Sequence, residues 1–101
     1  EFVHTNDLWK QRIAIISTFY FIRCDQFDDT FKISEILLHH PHDLIHKAVG
    51  WMLREVGNRN KDAEMAFLLK HYRQMPRTML RYAIEKFDED LRQQFLKGQI
   101  K

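Results

Sequence analysis

Between Leu44 and Val56, the residues Ile45, Val49, Met52, Leu53 and Val56 recur at i, i+4, i+7, i+8 and i+11. Only an α-helix brings those five side chains onto one side, so this stretch is a helix with one apolar stripe turned to a core. Its opposite side carries Lys47, Trp51 and Arg54, again at helical spacing. Gly50 lies within the same helix, where glycine costs about 1 kcal/mol relative to alanine. A glycine kept there points to the close approach of another backbone, protein or nucleic acid.

The remaining punctuation is sparse. Three glycines and two prolines in 101 residues leave few turns, which favours long helices over a meander of strands. Asn6-Asp7 offers an N-cap for a helix over Leu8–Ile22 that is apolar almost all round, as in a helix covered on several sides. Asp28-Asp29 caps a second helix, over about Thr30–Leu38. Pro41 suits the first turn of the third, which is expected to stop at Gly57. A fourth spans about Asp62–Tyr72, a fifth runs from Pro76 to about Phe87, and a short sixth starts at Asp88 and ends before Gly98. Nothing reads as a strand. The expected architecture is all-α: one domain of three antiparallel helix pairs over about 7–40, 41–73 and 76–98.

The pairs also align with one another. Arg12-Ile13-Ala14-Ile15, Lys47-Ala48-Val49-Gly50 and Arg81-Tyr82-Ala83-Ile84 come into register at intervals of 35 and 34 residues. Such a period suits helical-pair solenoids, in which each unit buries its face against its neighbours. Stacking would set Arg12, Lys47 and Arg81 in a row across one surface. A phosphate backbone is neutralised by such a row, with release of its counterions; the plain alternative is three solvated helix cations. Trp51, flanked by Lys47 and Arg54, offers a flat aromatic face for a nucleotide, and packing against a neighbouring pair is the alternative.

Other features narrow the field. The formal net charge of +2 is only mildly basic, so the placement of the cations matters more than their number. A single cysteine, Cys24, cannot form an internal disulfide, which fits a reducing, cytoplasmic setting, and without a sign of a lowered pKa it does not read as a nucleophile. The apolar runs, such as Ile13–Ile16 and Phe19–Ile22, are far shorter than a membrane span. His42 and His46 lie one helical turn apart beside His39 and His40, yet no carboxylate or cysteine completes a ligand set, and these read as histidines at a helix junction. Phe19, Tyr20, Phe21, Phe27 and Phe31 read as core between the first two helices. Phe67, Tyr72, Tyr82, Phe87 and Phe95 read as the fill of the later layers, and Asp88 with Arg92 as a solvated i, i+4 pair. No cofactor is expected. The chain opens at Glu1-Phe2, without methionine, and its first helix begins almost at once. A solenoid cut there would expose apolar surface, so an upstream part is expected to be missing from this sequence.

The runs Leu8-Trp9-Lys10-Gln11-Arg12-Ile13-Ala14-Ile15-Ile16 and Lys47-Ala48-Val49-Gly50-Trp51-Met52-Leu53-Arg54-Glu55 resemble two signature helices of the DNA alkylation repair enzymes. Met75-Pro76-Arg77-Thr78-Met79-Leu80-Arg81-Tyr82-Ala83-Ile84 resembles the helix that follows them, and the likeness covers about Leu8 to Gly98. The resemblance implies a right-handed α-α superhelix of HEAT-like repeats, a monomer whose concave basic face cradles duplex DNA. It implies hydrolysis of the N-glycosidic bond of N3- or N7-alkylated purines. Alkylation makes the base a cationic leaving group, and a carboxylate beside the sugar would stabilise the developing charge. By the same likeness, Arg12 matches an arginine beside the lesion and the backbone, and Trp51 a tryptophan on the damaged nucleotide's sugar and backbone. Lys47, Arg54 and Arg81 join them from surface position alone. The family's catalytic aspartate comes from an upstream Trp-Asp helix; only Trp9 and Trp51 occur here, and neither lies in such a motif. The catalytic set is therefore incomplete, and the expectation is weak DNA binding without glycosylase activity. Two further functions stay open: a catalytically silent module for DNA structures, and a helical scaffold for a protein partner.

Overall fold

The computed structural model of the chain describes residues 8–98. They form α1 (Leu8–Ser17), α2 (Phe19–Arg23), α3 (Asp28–Leu37), α4 (Asp43–Arg59), α5 (Lys61–His71), α6 (Arg77–Ala83) and α7 (Glu89–Leu96). No strand occurs among the described residues, and the expected cap at Asn6-Asp7 lies outside them.

The anticipated first helix is two pieces. At Thr18, which is buried, the hydroxyl donates to the Ile15 carbonyl at 2.7 Å, and Ser17 Oγ donates to Ala14 at 2.8 Å. Back-bonding of this kind competes with the helical ladder and bends it. Asp25, with φ of 59°, then turns the chain out of α2. Asp28 and Asp29 are not caps; they sit in the first turn of α3 after Phe27, where their charge complements the helix dipole. The start of α4 is set by His42, whose Nδ1 accepts from the Leu44 amide at 3.2 Å. Asn60 caps α5 by accepting from the Ala63 amide at 3.1 Å. Asp88 caps α7 by accepting from the Leu91 amide at 2.9 Å. Asp88 thus does not pair with the Arg92 side chain; Glu89 takes that arginine at 2.6 Å.

The helices lie in two layers. In one, α4 is flanked by α1 and α6. In the other, Phe31 of α3 stacks on Phe67 of α5 with ring centroids 4.9 Å apart, and Tyr72 meets Phe95 of α7 edge-on at 5.2 Å. The shortest dimension of the molecule, 18 Å, is what two helix diameters of about 10 Å require. Between the layers lies the stripe read from the sequence: Ile45, Val49, Met52, Leu53 and Val56 are all fully buried. Each such side chain contributes about 1.5–3 kcal/mol of transfer free energy.

Two glycines make α4 fit. A Cβ at Gly50 would stand 2.5 Å from the Met79 carbonyl oxygen and 2.5 Å from the Tyr82 Cβ, so the backbone that approaches is that of α6. Gly57 does not end α4, which continues to Arg59. Its missing side chain leaves room for the carboxyl of Glu64, which a Cβ would overlap. Glu64 is 1% exposed, and its Oε2 has no hydrogen-bond partner. Burial raises its pKa to about 8, against the pull of Arg54 and Lys61.

The aromatic expectations divide. Phe67, Tyr72, Phe87 and Phe95 are buried, and Phe27 and Phe31 pack half-buried against the core. Phe19, Tyr20 and Phe21 are not core: they are 36%, 68% and 39% exposed, because the break at Thr18 rotates α2 relative to α1. Tyr82 is also partly exposed.

Gly50→Ala gains helix propensity but forces Cβ into rigid α6 backbone; a net loss of about 1–3 kcal/mol is expected in urea unfolding. A stability equal to or above that of the parent would refute the close approach. Between pH 4.5 and 8 the folded chain holds a proton on Glu64 that the unfolded chain has released. Stability therefore falls as pH rises through that window, by on the order of a few kcal/mol, and levels off above it. Glu64→Gln should flatten this component and be the more stable form at pH 8, as read by thermal melts across the range.

Candidate nucleic-acid interface

The side of α4 turned from the core carries Lys47, Trp51 and Arg54 at successive turns. Lys47 is exposed and lies 3.8 Å from Asp43, one turn earlier. Trp51 is half-buried: its ring lies 6.4 Å from that of Phe19 on α2, and its Nε1 donates to Glu55 Oε2 at 3.1 Å. The hydrogen bond at i, i+4 ties down the indole edge, so the ring direction is set by its own helix. Sequence reasoning missed this role of Glu55, although the four-residue spacing from Trp51 was its visible signal. Arg54 is half-buried and pairs with Glu85, just beyond α6.

Arg12 projects from α1, half-buried, with its guanidinium carbon 5.7 Å from the centre of the Trp9 ring. Trp9 itself is 64% exposed, so the pair presents a cation and an aromatic plane to solvent. Arg81 is exposed on α6 and has no ion-pair partner among the described residues. Helix α4 therefore brings three of the five residues onto one strip, with Arg12 and Arg81 on the helices to either side. The lateral register is set by Gly50 against Met79 and Tyr82, and by Arg54 against Glu85.

The histidines next to this strip serve the chain junction. Gln11 of α1, buried, accepts from His40 Nε2 at 2.8 Å, while His40 Nδ1 accepts from the His42 amide at 3.0 Å. That pattern requires the neutral imidazole. The pKa of His40 is lowered by burial and by His42 and His46, in keeping with it. His46 Nε2 donates to the His40 carbonyl. Among the described residues no three His, Cys, Asp or Glu side chains are arranged to hold a metal ion. Cys24 is exposed and free, and among the described residues no helix is long and apolar enough to cross a membrane.

The family model for the DNA alkylation repair enzymes matches residues 1–87. Neither a curated protein nor a solved structure matches the chain. The match spans α1 to α6 and every residue of the strip, and the chain belongs to this family.

Proposed function

We propose that this member of the DNA alkylation repair enzyme family holds duplex DNA against the solvent side of α1, α4 and α6. It does so as the DNA-binding part of a glycosylase for N3- and N7-alkylated purines. One observation supports this reading above the others: a partly exposed indole, Trp51, is fixed by Glu55 on the same strip as Lys47 and Arg54. A planar ring between two cations suits a nucleotide sugar and its flanking phosphates, and aromatic contact with a nucleotide typically contributes about 1–3 kcal/mol. Arg12 and Arg81 extend the positive surface to either side.

The charges are not idle in the free protein. Lys47 leans on Asp43 and Arg54 on Glu85. A phosphate must displace these carboxylates, so binding is moderate and strongly salt-dependent. Base release is accelerated by a carboxylate beside the sugar, where positive charge develops. One turn after Trp9 stands Ile13, and one turn after Trp51 stands Glu55, which the indole already holds. Within these 101 residues the strip binds DNA without excising a base. A second reading, a surface for a protein partner, is favoured by the exposed Trp9, Phe19, Tyr20 and Phe21.

Titration of duplex DNA by fluorescence anisotropy at several salt concentrations separates the two. Arg12→Ala and Lys47→Ala should each weaken binding and lower the salt slope by about 1, while Glu85→Ala frees Arg54 and tightens binding. Trp51→Ala should cost more on a duplex containing 7-methylguanine than on an unmodified one, by about 1–3 kcal/mol. No salt-dependent affinity for duplex, or release of 7-methylguanine by the chain alone, would overturn the respective claims.

A further inference from the structure

Beyond this strip, we propose that the open cavity between the end of α4, the start of α5 and the segment after α6 is a binding site for a phosphate group. The cavity has a volume of about 270 Å³, too small for a drug-sized ligand but ample for one tetrahedral anion. Arg54, Lys61 and Lys86 line it, with Asn58 at the side and the Phe87 ring behind Lys61 at 5.2 Å. Lys86 has no ion-pair partner among the described residues, and Lys61 has none beyond that ring contact. Among the described residues, Glu85, on Arg54, is the one carboxylate paired with any of these three cations. Lys61 is the first residue of α5, at the positive end of the helix dipole, with Asp62 next to it in the first turn.

The wall of the cavity is Glu64, fully buried, seated against the bare backbone of Gly57, with Oε2 unpaired. A buried polar oxygen without a partner is costly unless a ligand or proton completes it. Held as the neutral acid by burial, Glu64 adds no negative charge to the cavity wall, and Lys61 and Lys86 supply the positive charge. Ionised, it repels the same anion. The charged groups that act on Glu64 are Arg54 from α4 and Lys61 from its own helix, and Lys86 from beyond α6 lines the same cavity. Binding is coupled to the Glu64 proton and weakens as pH rises past about 8.

The test is a titration of the full chain with inorganic phosphate, followed by backbone amide shifts. Saturable shifts are expected at Gly57, Asn58, Lys61 and Glu64. Lys61→Ala and Lys86→Ala should each weaken binding by roughly three- to tenfold. Arg59→Ala, whose side chain pairs with Asp25 at 3.0 Å, should leave it unchanged. With sulfate, whose charge is constant over this range, affinity should fall above pH 8 in the parent and stay level in Glu64→Gln. Added duplex DNA identifies the source: loss of the phosphate shifts assigns the site to a backbone phosphate, and their persistence to a free phosphate or phosphomonoester. No saturable shift up to roughly 50 mM phosphate, far above a millimolar dissociation constant, would overturn the proposal. So would undiminished binding in both lysine variants. Failure of Arg12→Ala and Lys47→Ala to weaken duplex binding would sink the DNA strip and leave this titration untouched.

Discussion

Everything else in the molecule is arranged around the contact between α4 and α6 at Gly50. With no side chain there, the carbonyl of Met79 and the Cβ of Tyr82 come as near as a hydrogen atom permits. That closeness lets Met79, Leu80 and Ala83 bury against the stripe of α4. It also sets the relative height of the two helices, and hence which side chains meet across their outer edge. The pairing of Arg54 with Glu85 follows from that height. A wider spacing would separate this pair and open the layer from which Arg12, Lys47, Trp51 and Arg81 project.

The same helix works on both of its sides. Inward, five apolar residues hold the two layers together; outward, a cation, an indole and a second cation recur turn by turn. Each outward group is already braced by a carboxylate: Asp43 for Lys47, Glu55 for Trp51 and Glu85 for Arg54. Exposed ion pairs contribute little to stability, on the order of 0–1 kcal/mol, so they can be exchanged for phosphate contacts at small cost. The bracing keeps the long side chains near their working positions and lowers affinity for any passing anion. With a formal net charge of only +2, the proposed DNA binding rests on this local order and not on overall charge.

Much of the fold was legible in the sequence because periodicity reports burial directly. The stripe from Ile45 to Val56 is buried as its spacing requires, and the interior glycine at 50 does mark a close backbone. What escaped was decided by tertiary neighbours. Gly57 looks like a helix stop, yet it accommodates a carboxyl from the next helix, a residue seven positions on whose burial no local pattern announces. The aromatic run at Phe19 reads as core, but two adjacent hydroxyls, Ser17 and Thr18, interrupt the helix and turn those rings outward. Of the candidate site, residue types and helical side were readable. The brace at Glu55 was readable in its four-residue spacing from Trp51, whereas the pairing of Arg54 with Glu85 depends on register between helices, which the spacing of one helix does not contain.

In the proposed complex the guanidinium of Arg12 and the indole of Trp51 serve a single DNA-binding surface on the α1–α4–α6 layer. Amide shift mapping of the chain bound to an unmodified duplex tests it most directly. Perturbations centred on Arg12, Lys47, Trp51 and Arg81, with α3 and α7 quiet, are the predicted outcome. Shifts gathered on α3 and α7, with those four residues unmoved, would contradict it.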